Sequence, residues 1–344
     1  MSAAIGVGIV GLGMAVKPHA LALRDLAGKV EVVGAYSPSA ERRATFARQY
    51  DFPVVDALEA LLADRRIRAL LVLTPPRTHT ELAMQAAAAG KDVLLEKPVD
   101  VDLPGARALV EHFERSGRTV GVVFQHRFRP GALRLTAMIR DGELGALLSA
   151  STYVRWWRSA EYFAQPGRGT LARDGGGVLL TQAIHTLDLF LDLVGPAKRV
   201  CAVCRTSPLR NIDTEDIACA TVEFLGGAVG VIDATSTAYP GYPERIELAG
   251  SLGSAVLETE ALKACRQGQA VLEVAGSSAG GGGADPMAFS HEPHRLLMED
   301  FIDALAQDRA PRVSGRSALR VHAIIDAMLA SSREGRWVEV ERTD

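Results

Sequence analysis

The chain has 344 residues, 48% of them hydrophobic and 23% charged, with a formal net charge of −3. That length suits two domains better than one core, and the proportions are ordinary for a globular protein. The slightly acidic balance excludes a basic nucleic-acid surface, and no run of about 18 uncharged apolar residues is present to cross a membrane.

The chain opens on "AIGVGIVGLG" without a basic leader, so no secretory signal is expected and a cytoplasmic protein is. Ile5–Val10 reads as a strand, followed by a glycine turn and a helix over about Met14–Leu26. Val30–Tyr36 is a second strand, and "SAERRATFARQY" a helix. "RALLVLT" (68–74) and "DVLLE" (92–96) are apolar strands flanking the helix "HTELAMQAAAAG", which Gly90 stops. "DVLLE" is counted as the fifth strand. After the helix "ARALVEHFERSG", "TVGVVFQ" (119–125) is the sixth. Apolar strands spaced by helices imply a parallel, doubly wound sheet in a first domain over 1–125.

After Phe128 the pattern changes, and residues 126–344 read as a second α/β domain. A helix at about Gly131–Asp141 leads into alternating segments: "LLSASTYVRWW", "KRVCAVCRT", "ACATVEFLGGAVGVIDATST", "RIELAGSLGSAVLET" and "AVLEVAG". These predict a large, mainly antiparallel sheet that is open on one face, which another copy of the chain is expected to cover as a homo-dimer or homo-tetramer. "GSSAGGGGAD" (276–285) reads as a surface connector. Helices at Pro293–Gln307 and Ser317–Ser332 close the chain and are expected to turn back toward the first domain. His291 and His294, beside Pro293, read as surface or capping residues.

Cys201 and Cys204 look like half a zinc site. On a strand, however, a separation of three places them on opposite faces, and no second pair completes a tetrahedral site. Buried, reduced cysteines are the expectation, with no metal.

A literal G-x-G-x-x-G falls at Gly6, Gly8 and Gly11, inside the first strand, where it cannot bind phosphate. The useful frame is Gly11-Leu12-Gly13, directly after it. Gly11 permits the tight turn, and Gly13 lets a pyrophosphate approach the free N–H groups of the next helix. Val16 stands at the third position, and Pro18 falls in the first helical turns, where its missing donor costs little. The second strand ends "GAYS", with Ser37 where a ribose-binding acid would stand. Ser37, Ser39, Arg42 and Arg43 offer donors and no acid to repel a 2′-phosphate, so NAD or NADP is expected, with a slight lean to NADP.

With Glu96-Lys97-Pro98 at a strand end, the sequence resembles the Gfo/Idh/MocA oxidoreductase family over nearly its whole length. "GLGMAVKPHALAL", "TPPRTHTELAMQAAAAGKDVLLEKPVD" and "GGGVLLTQAIHTLDLFLDLVG" match family signatures in order and spacing. The resemblance implies a Rossmann domain followed by an α/β domain with an open sheet. It places Gly11, Leu12, Gly13, Met14, Ser37, Arg42, Thr74, Pro75, His79, Glu96 and Lys97 at the cofactor. Lys97 is implied to hydrogen-bond the reacting hydroxyl and His185 to be the general base. An imidazole titrates in the right range for that role. An isolated His185–Asp188 pair, three residues apart, would otherwise read as a core histidine satisfied by an acid.

Many relatives carry an acid four residues before this histidine. Here it is Thr181, followed by Gln182, a form that resembles the branch with UDP-sugar-acid 3-dehydrogenases. In "FQHRFRP" and "YVRWWRSAEYF", Arg127, Arg158 and Tyr162 are expected at a polyhydroxylated or anionic substrate, with Thr181 and Asp188 beside them. The function implied is an NAD(P)-dependent dehydrogenase that oxidises a secondary hydroxyl of a sugar, sugar derivative or cyclitol. Rival readings are an NAD-dependent glycoside hydrolase and a non-catalytic nucleotide sensor.

Overall fold

The computed structural model describes residues 4–276 and 290–343. The connector expected at 276–285 thus lies, from 277 on, outside the described residues. The chain divides into two units, Met1–Phe124 with His291–Leu319 and Gln125–Ser290 with Arg320–Asp344.

In the first unit β1 (Ile5–Val10), α1 (Val16–Asp25), β2 (Val30–Tyr36), α2 (Ala40–Tyr50), α3 (Leu58–Ala63), β3 (Ile67–Val72), α4 (His79–Ala88), β4 (Asp92–Leu95), α5 (Leu103–Ser116) and β5 (Val120–Val122) follow in order. The strands form one parallel sheet in the order β2-β1-β3-β4-β5. Leu70, Leu71, Val72, Val93, Leu94 and Leu95 are all buried, as strands covered on both faces must be. The sheet has five strands, not six, so Glu96 follows the fourth. Between β2 and α3 the chain contributes only an isolated bridge, Val54 to Ala35, next to Pro53, which has no N–H to donate. Gly6 and Gly8 serve packing: a Cβ on Gly6 would lie 2.1 Å from the Arg66 carbonyl oxygen.

The second unit holds α6 (Pro130–Arg140), β6 (Leu147–Arg155), α7 (Ala160–Phe163), α8 (Leu171–Asp174), α9 (Ile184–Val194), β7 (Ala197–Arg205), β8 (Ile217–Phe224), β9 (Val229–Thr235), β10 (Arg245–Gly250), β11 (Gly253–Glu258), β12 (Ala261–Arg266) and β13 (Leu272–Val274). Three elements follow: α10 (Glu292–Gln307), which packs on α1 in the first unit, α11 (Gly315–Glu334), and β14 (Val338–Glu339) in the second. Nine strands line up as β13-β12-β11-β10-β6-β9-β8-β7-β14. Every pairing is antiparallel except β6 with β9, which is parallel.

Burial alternates along these strands. Ala218, Ala220, Val222, Ile232 and Ala234 face the core beneath α9 and α6, where Phe190 meets Phe224 edge-on at 5.6 Å. Cys219, Thr221, Val229 and Val231 face outward. β12 and the two-residue β14 are not expected from the sequence. Among the described residues, one stretch, Leu171–Val194, which spans α8, the turn after it and α9, passes for length and apolarity as a membrane span, and it is mostly buried within the unit. All four cysteines are free thiols, but none is fully buried, and Cys219 and Cys265 are exposed. That corrects the expectation of core positions: on a sheet with one open face, alternation leaves thiols at the surface. Burial still pushes the Cys204 thiol up to about 12.

Candidate active site

In the first unit the carboxyl ends of adjacent strands bring the expected residues together. β1, β3 and β4 are neighbours, so Gly11–Met14, Thr74–Pro75 and Glu96–Lys97 emerge side by side. The chain leaves β1 toward β2 on one side and meets β3 on the other. Ligands of open α/β sheets enter at such a reversal.

The two glycines of the first turn differ. Gly11 has φ +104°, and a Cβ there would sit 2.7 Å from the Leu73 carbonyl carbon, so backbone alone demands glycine. A Cβ on Gly13 would meet nothing within 4 Å. The space above Gly13, ahead of the α1 amides, is what a dinucleotide pyrophosphate requires, and the turn fits NAD on that ground. Leu12 is buried, whereas Met14 is 72% exposed beside it.

At the end of β2 the expectation for Ser37 needs correction. Ser37 is buried, its hydroxyl accepts a long bond from the Ser39 amide (3.4 Å), and its carbonyl accepts from Arg43 Nη1 at 2.7 Å. Arg43 also donates to Asp56. Arg42, in the first turn of α2 capped by Ser39, is the exposed cation at this edge. His79 is likewise corrected from a cofactor contact to a brace. It is fully buried, and its ring nitrogens lie 2.8 Å from the carbonyls of Thr74 and Pro98. Burial holds its pKa below the ordinary value, so the neutral ring donates to one of these two at a time. The brace ties the loop after β3 to the loop after β4.

Glu96 explains why an acid precedes the lysine. Its Oε2 accepts from the Lys97 backbone N–H at 3.0 Å, and its Oε1 lies 3.0 Å from His19 Nε2, which donates to it. His19 is 1% exposed, on α1. His294, from α10, meets the His19 ring edge-on at 5.0 Å. It is buried, which corrects the surface or capping role expected for it. The sequence reading missed His19, although it lies within the "GLGMAVKPHALAL" match.

In the second unit the expected residues lie on α9 and the turn before it. Leu179–Ala183 forms a π-helical turn, a feature that recurs at functional sites, and α9 continues from it. Gly177 is required here, because a Cβ would come within 2.0 Å of the Glu215 carbonyl oxygen. Thr181 donates to the Gly177 carbonyl at 2.7 Å. His185 is half-buried and stacks on His126 from the 3₁₀ turn Gln125–Phe128, with ring centroids 4.9 Å apart and planes 27° apart.

Asp188 does not satisfy His185. Both its oxygens accept from Arg127, Oδ2 from Nε at 2.7 Å and Oδ1 from Nη2 at 2.5 Å, and Arg127 Nη1 donates to Asp192 at 2.9 Å. Arg127 is 4% and Asp188 1% exposed. Their expected contact with substrate is therefore replaced by a buried ion pair that joins the 3₁₀ turn to α9. Burial pushes the Asp188 carboxyl up, against Arg127, which favours its charged form.

Arg158 and Tyr162 lie together beyond the end of β6, with the guanidinium 4.9 Å from the Trp156 ring centre and 5.6 Å from that of Tyr162. Tyr162 and Thr181 also line one pocket, with Arg168, Asp174, Gln182 and Glu215. Burial raises the Glu215 carboxyl above its usual range, and its Oε1 accepts from the Leu179 amide.

The comparisons agree with this architecture. Residues 5–124 match the Gfo/Idh/MocA oxidoreductase family, NAD-binding Rossmann fold, and residues 132–256 match that family's C-terminal domain. The chain is 26% identical to inositol 2-dehydrogenase of Rhizobium meliloti, over 97% of this chain and 98% of the relative. It is also 26% identical to levoglucosan dehydrogenase of Pseudarthrobacter phenanthrenivorans, over 98% of each. The WlbA dehydrogenase of Bordetella pertussis, solved with NADH and UDP-GlcNAcA, superposes with a TM-score of 0.82 at 26% identity, over 98% of this chain and 99% of that one. Two domain matches that cover most of the chain, in the family's order and on the expected fold, lead to one conclusion: the chain belongs to the Gfo/Idh/MocA family of NAD-binding oxidoreductases.

Proposed function

We propose that this oxidoreductase oxidises a secondary hydroxyl of a sugar, sugar derivative or cyclitol. The observation that carries the reading is the Glu96 lock. A half-buried acid gripped by His19 and by the Lys97 amide holds the lysine's backbone at the carboxyl edge of the sheet, and a lone surface ion pair would need no such support. In this reading Lys97 donates to the reacting oxygen and stabilises the negative charge that develops there. His185 accepts the hydroxyl proton, and its stacking on His126 fixes the plane of the ring. Bound NAD or NADP supplies the hydride acceptor. Positioning and preorganised charge account for most of the rate. The exposed Arg42 and the absence of a carboxylate at Ser37 support the lean to NADP. The relatives named above, an inositol and a levoglucosan dehydrogenase, support the substrate class. Four free thiols accord with a reducing compartment such as the cytoplasm.

A panel of sugars, sugar acids and cyclitols, each followed by formation of reduced nicotinamide, tests the proposal. Steady turnover of at least one of them is expected. Glycoside cleavage without net reduction of the cofactor would overturn it.

A further inference from the structure

Arg127 and Arg158 are both buried, and they differ in one respect. Arg127 meets two carboxylates. Arg158 is 9% exposed and forms no ion pair; its Nη1 donates to the Trp157 carbonyl at 3.1 Å, and the neutral Tyr162 hydroxyl is its other polar neighbour. Its Nε is buried with no acceptor, and the same holds for Nε1 of the neighbouring Trp156. Two N–H donors thus lie together without an acceptor, in a chain that pairs its other enclosed arginines: Arg129 with Glu244, Arg168 with Asp174 and Arg210 with Asp216. The favourable electrostatic neighbour of Arg158 is Tyr162, and burial works against its charge.

Enclosing a cation without a counter-ion is costly unless something offsets it, so such a group marks a place where the partner arrives from outside. The ring faces of Trp156 and Tyr162 offset part of that cost at 4.9 and 5.6 Å. Tyr162 connects this cation to the pocket lined by Thr181 and Gln182, one helical turn before His185. Gln182 Oε1 in that pocket is itself buried without a donor.

We infer that the sugar substrate carries an anionic group, a carboxylate or a phosphate, and that Arg158 is its counter-ion, with Trp156 and Tyr162 shaping the seat. A guanidinium presents a planar fork of donors that fits either group, and a charge-assisted bond is stronger when partly removed from water. This deepens the dehydrogenase reading and rests on it for the word substrate. The anion seat itself stands on the second unit alone.

The test separates binding from turnover. The full chain with bound NADH is melted with D-glucuronate, D-galacturonate, glucose 6-phosphate and the neutral parents D-glucose and D-galactose. At least one anionic sugar is expected to raise the melting temperature where its neutral parent does not. The uronates against the phosphate ester decide which anion fits. Arg158→Met keeps the length of the side chain and removes the charge, and it should weaken that binding by about tenfold or more while NADH affinity is unchanged. If Arg158→Met fails to fold, Arg158→Lys retains the charge without the fork and should still lose about tenfold. Equal response to neutral and anionic sugars, no response to any anion, or full binding by the folded variant overturns the inference. Turnover of neutral polyols with no anionic preference would end it and leave the dehydrogenase reading standing. Arg158-dependent anion binding without turnover of any sugar would do the reverse.

Discussion

Arg127 and Asp188, 61 residues apart in the chain, form a bidentate ion pair with almost no exposure to solvent. The pair joins the turn that carries His126 to the helix that carries His185, so it supports the stacked imidazoles without touching a reacting atom. Removing one member strands the other. Arg127→Met should destabilise the protein by about 3–5 kcal/mol, the range for an uncompensated buried charge. Arg127→Met combined with Asp188→Leu should cost less than the sum of the single losses, as measured by urea unfolding. A single substitution within about 0.5 kcal/mol of the parent would contradict a buried pair.

The glycines of the first turn should fail in different ways. Gly13→Val meets open space and should fold normally while losing most NAD affinity by calorimetry. Gly11→Ala forces a side chain onto a residue at φ +104° and against the Leu73 carbonyl, so it should cost about 1–3 kcal/mol of stability. Unchanged NAD binding by Gly13→Val would remove the phosphate from this turn.

Lys97 and His185 are assigned to one transition state, so their losses should not add. Lys97→Met and His185→Ala should each lower kcat by about 10²-fold or more, the scale of a positioned acid–base group. The double variant should be little worse than the poorer single one, with cofactor affinity held within a few-fold. His19→Ala, which acts through Glu96, should lower kcat less than Lys97→Met and leave KM for the cofactor nearly unchanged. Full activity of His185→Ala would return that residue to a packing role.

Cofactor choice should follow Arg42. With no carboxylate at Ser37, kcat/KM for NADP should lie within about a hundredfold of that for NAD, or about 2.7 kcal/mol. Arg42→Ala should reduce the NADP value by about tenfold or more and spare NAD, because only the 2′-phosphate needs the guanidinium. An NAD preference beyond that limit in the parent would contradict the lean to NADP.

The outward face of the second sheet carries Val203 and Val229, each 52% exposed, along with Val231 and Val256. Apolar rows of this kind invite another copy of the chain. Light scattering at micromolar concentration should show a dimer or tetramer, and Val231→Glu should shift it toward monomer without loss of the fold. A monomeric parent would refute the association.

The sequence by itself determined most of the elements. Apolar runs with helical spacers specify the parallel strands, and two-residue alternation specifies the open sheet. Both depend on which face each residue buries, and that is written locally. The glycine turn was legible for the same reason, since only local backbone geometry demands Gly11. Tertiary structure decided the partners. His19 reaches Glu96 across 77 residues, His126 stacks on His185, and Asp188 turns to Arg127 instead of the histidine three residues before it. It also decided that β6 and β9 run parallel and that Arg158 is enclosed without an acid. Periodicity records the depth of a side chain along its own strand or helix. Which charge or ring it meets there depends on where distant segments cross, and no local pattern encodes that.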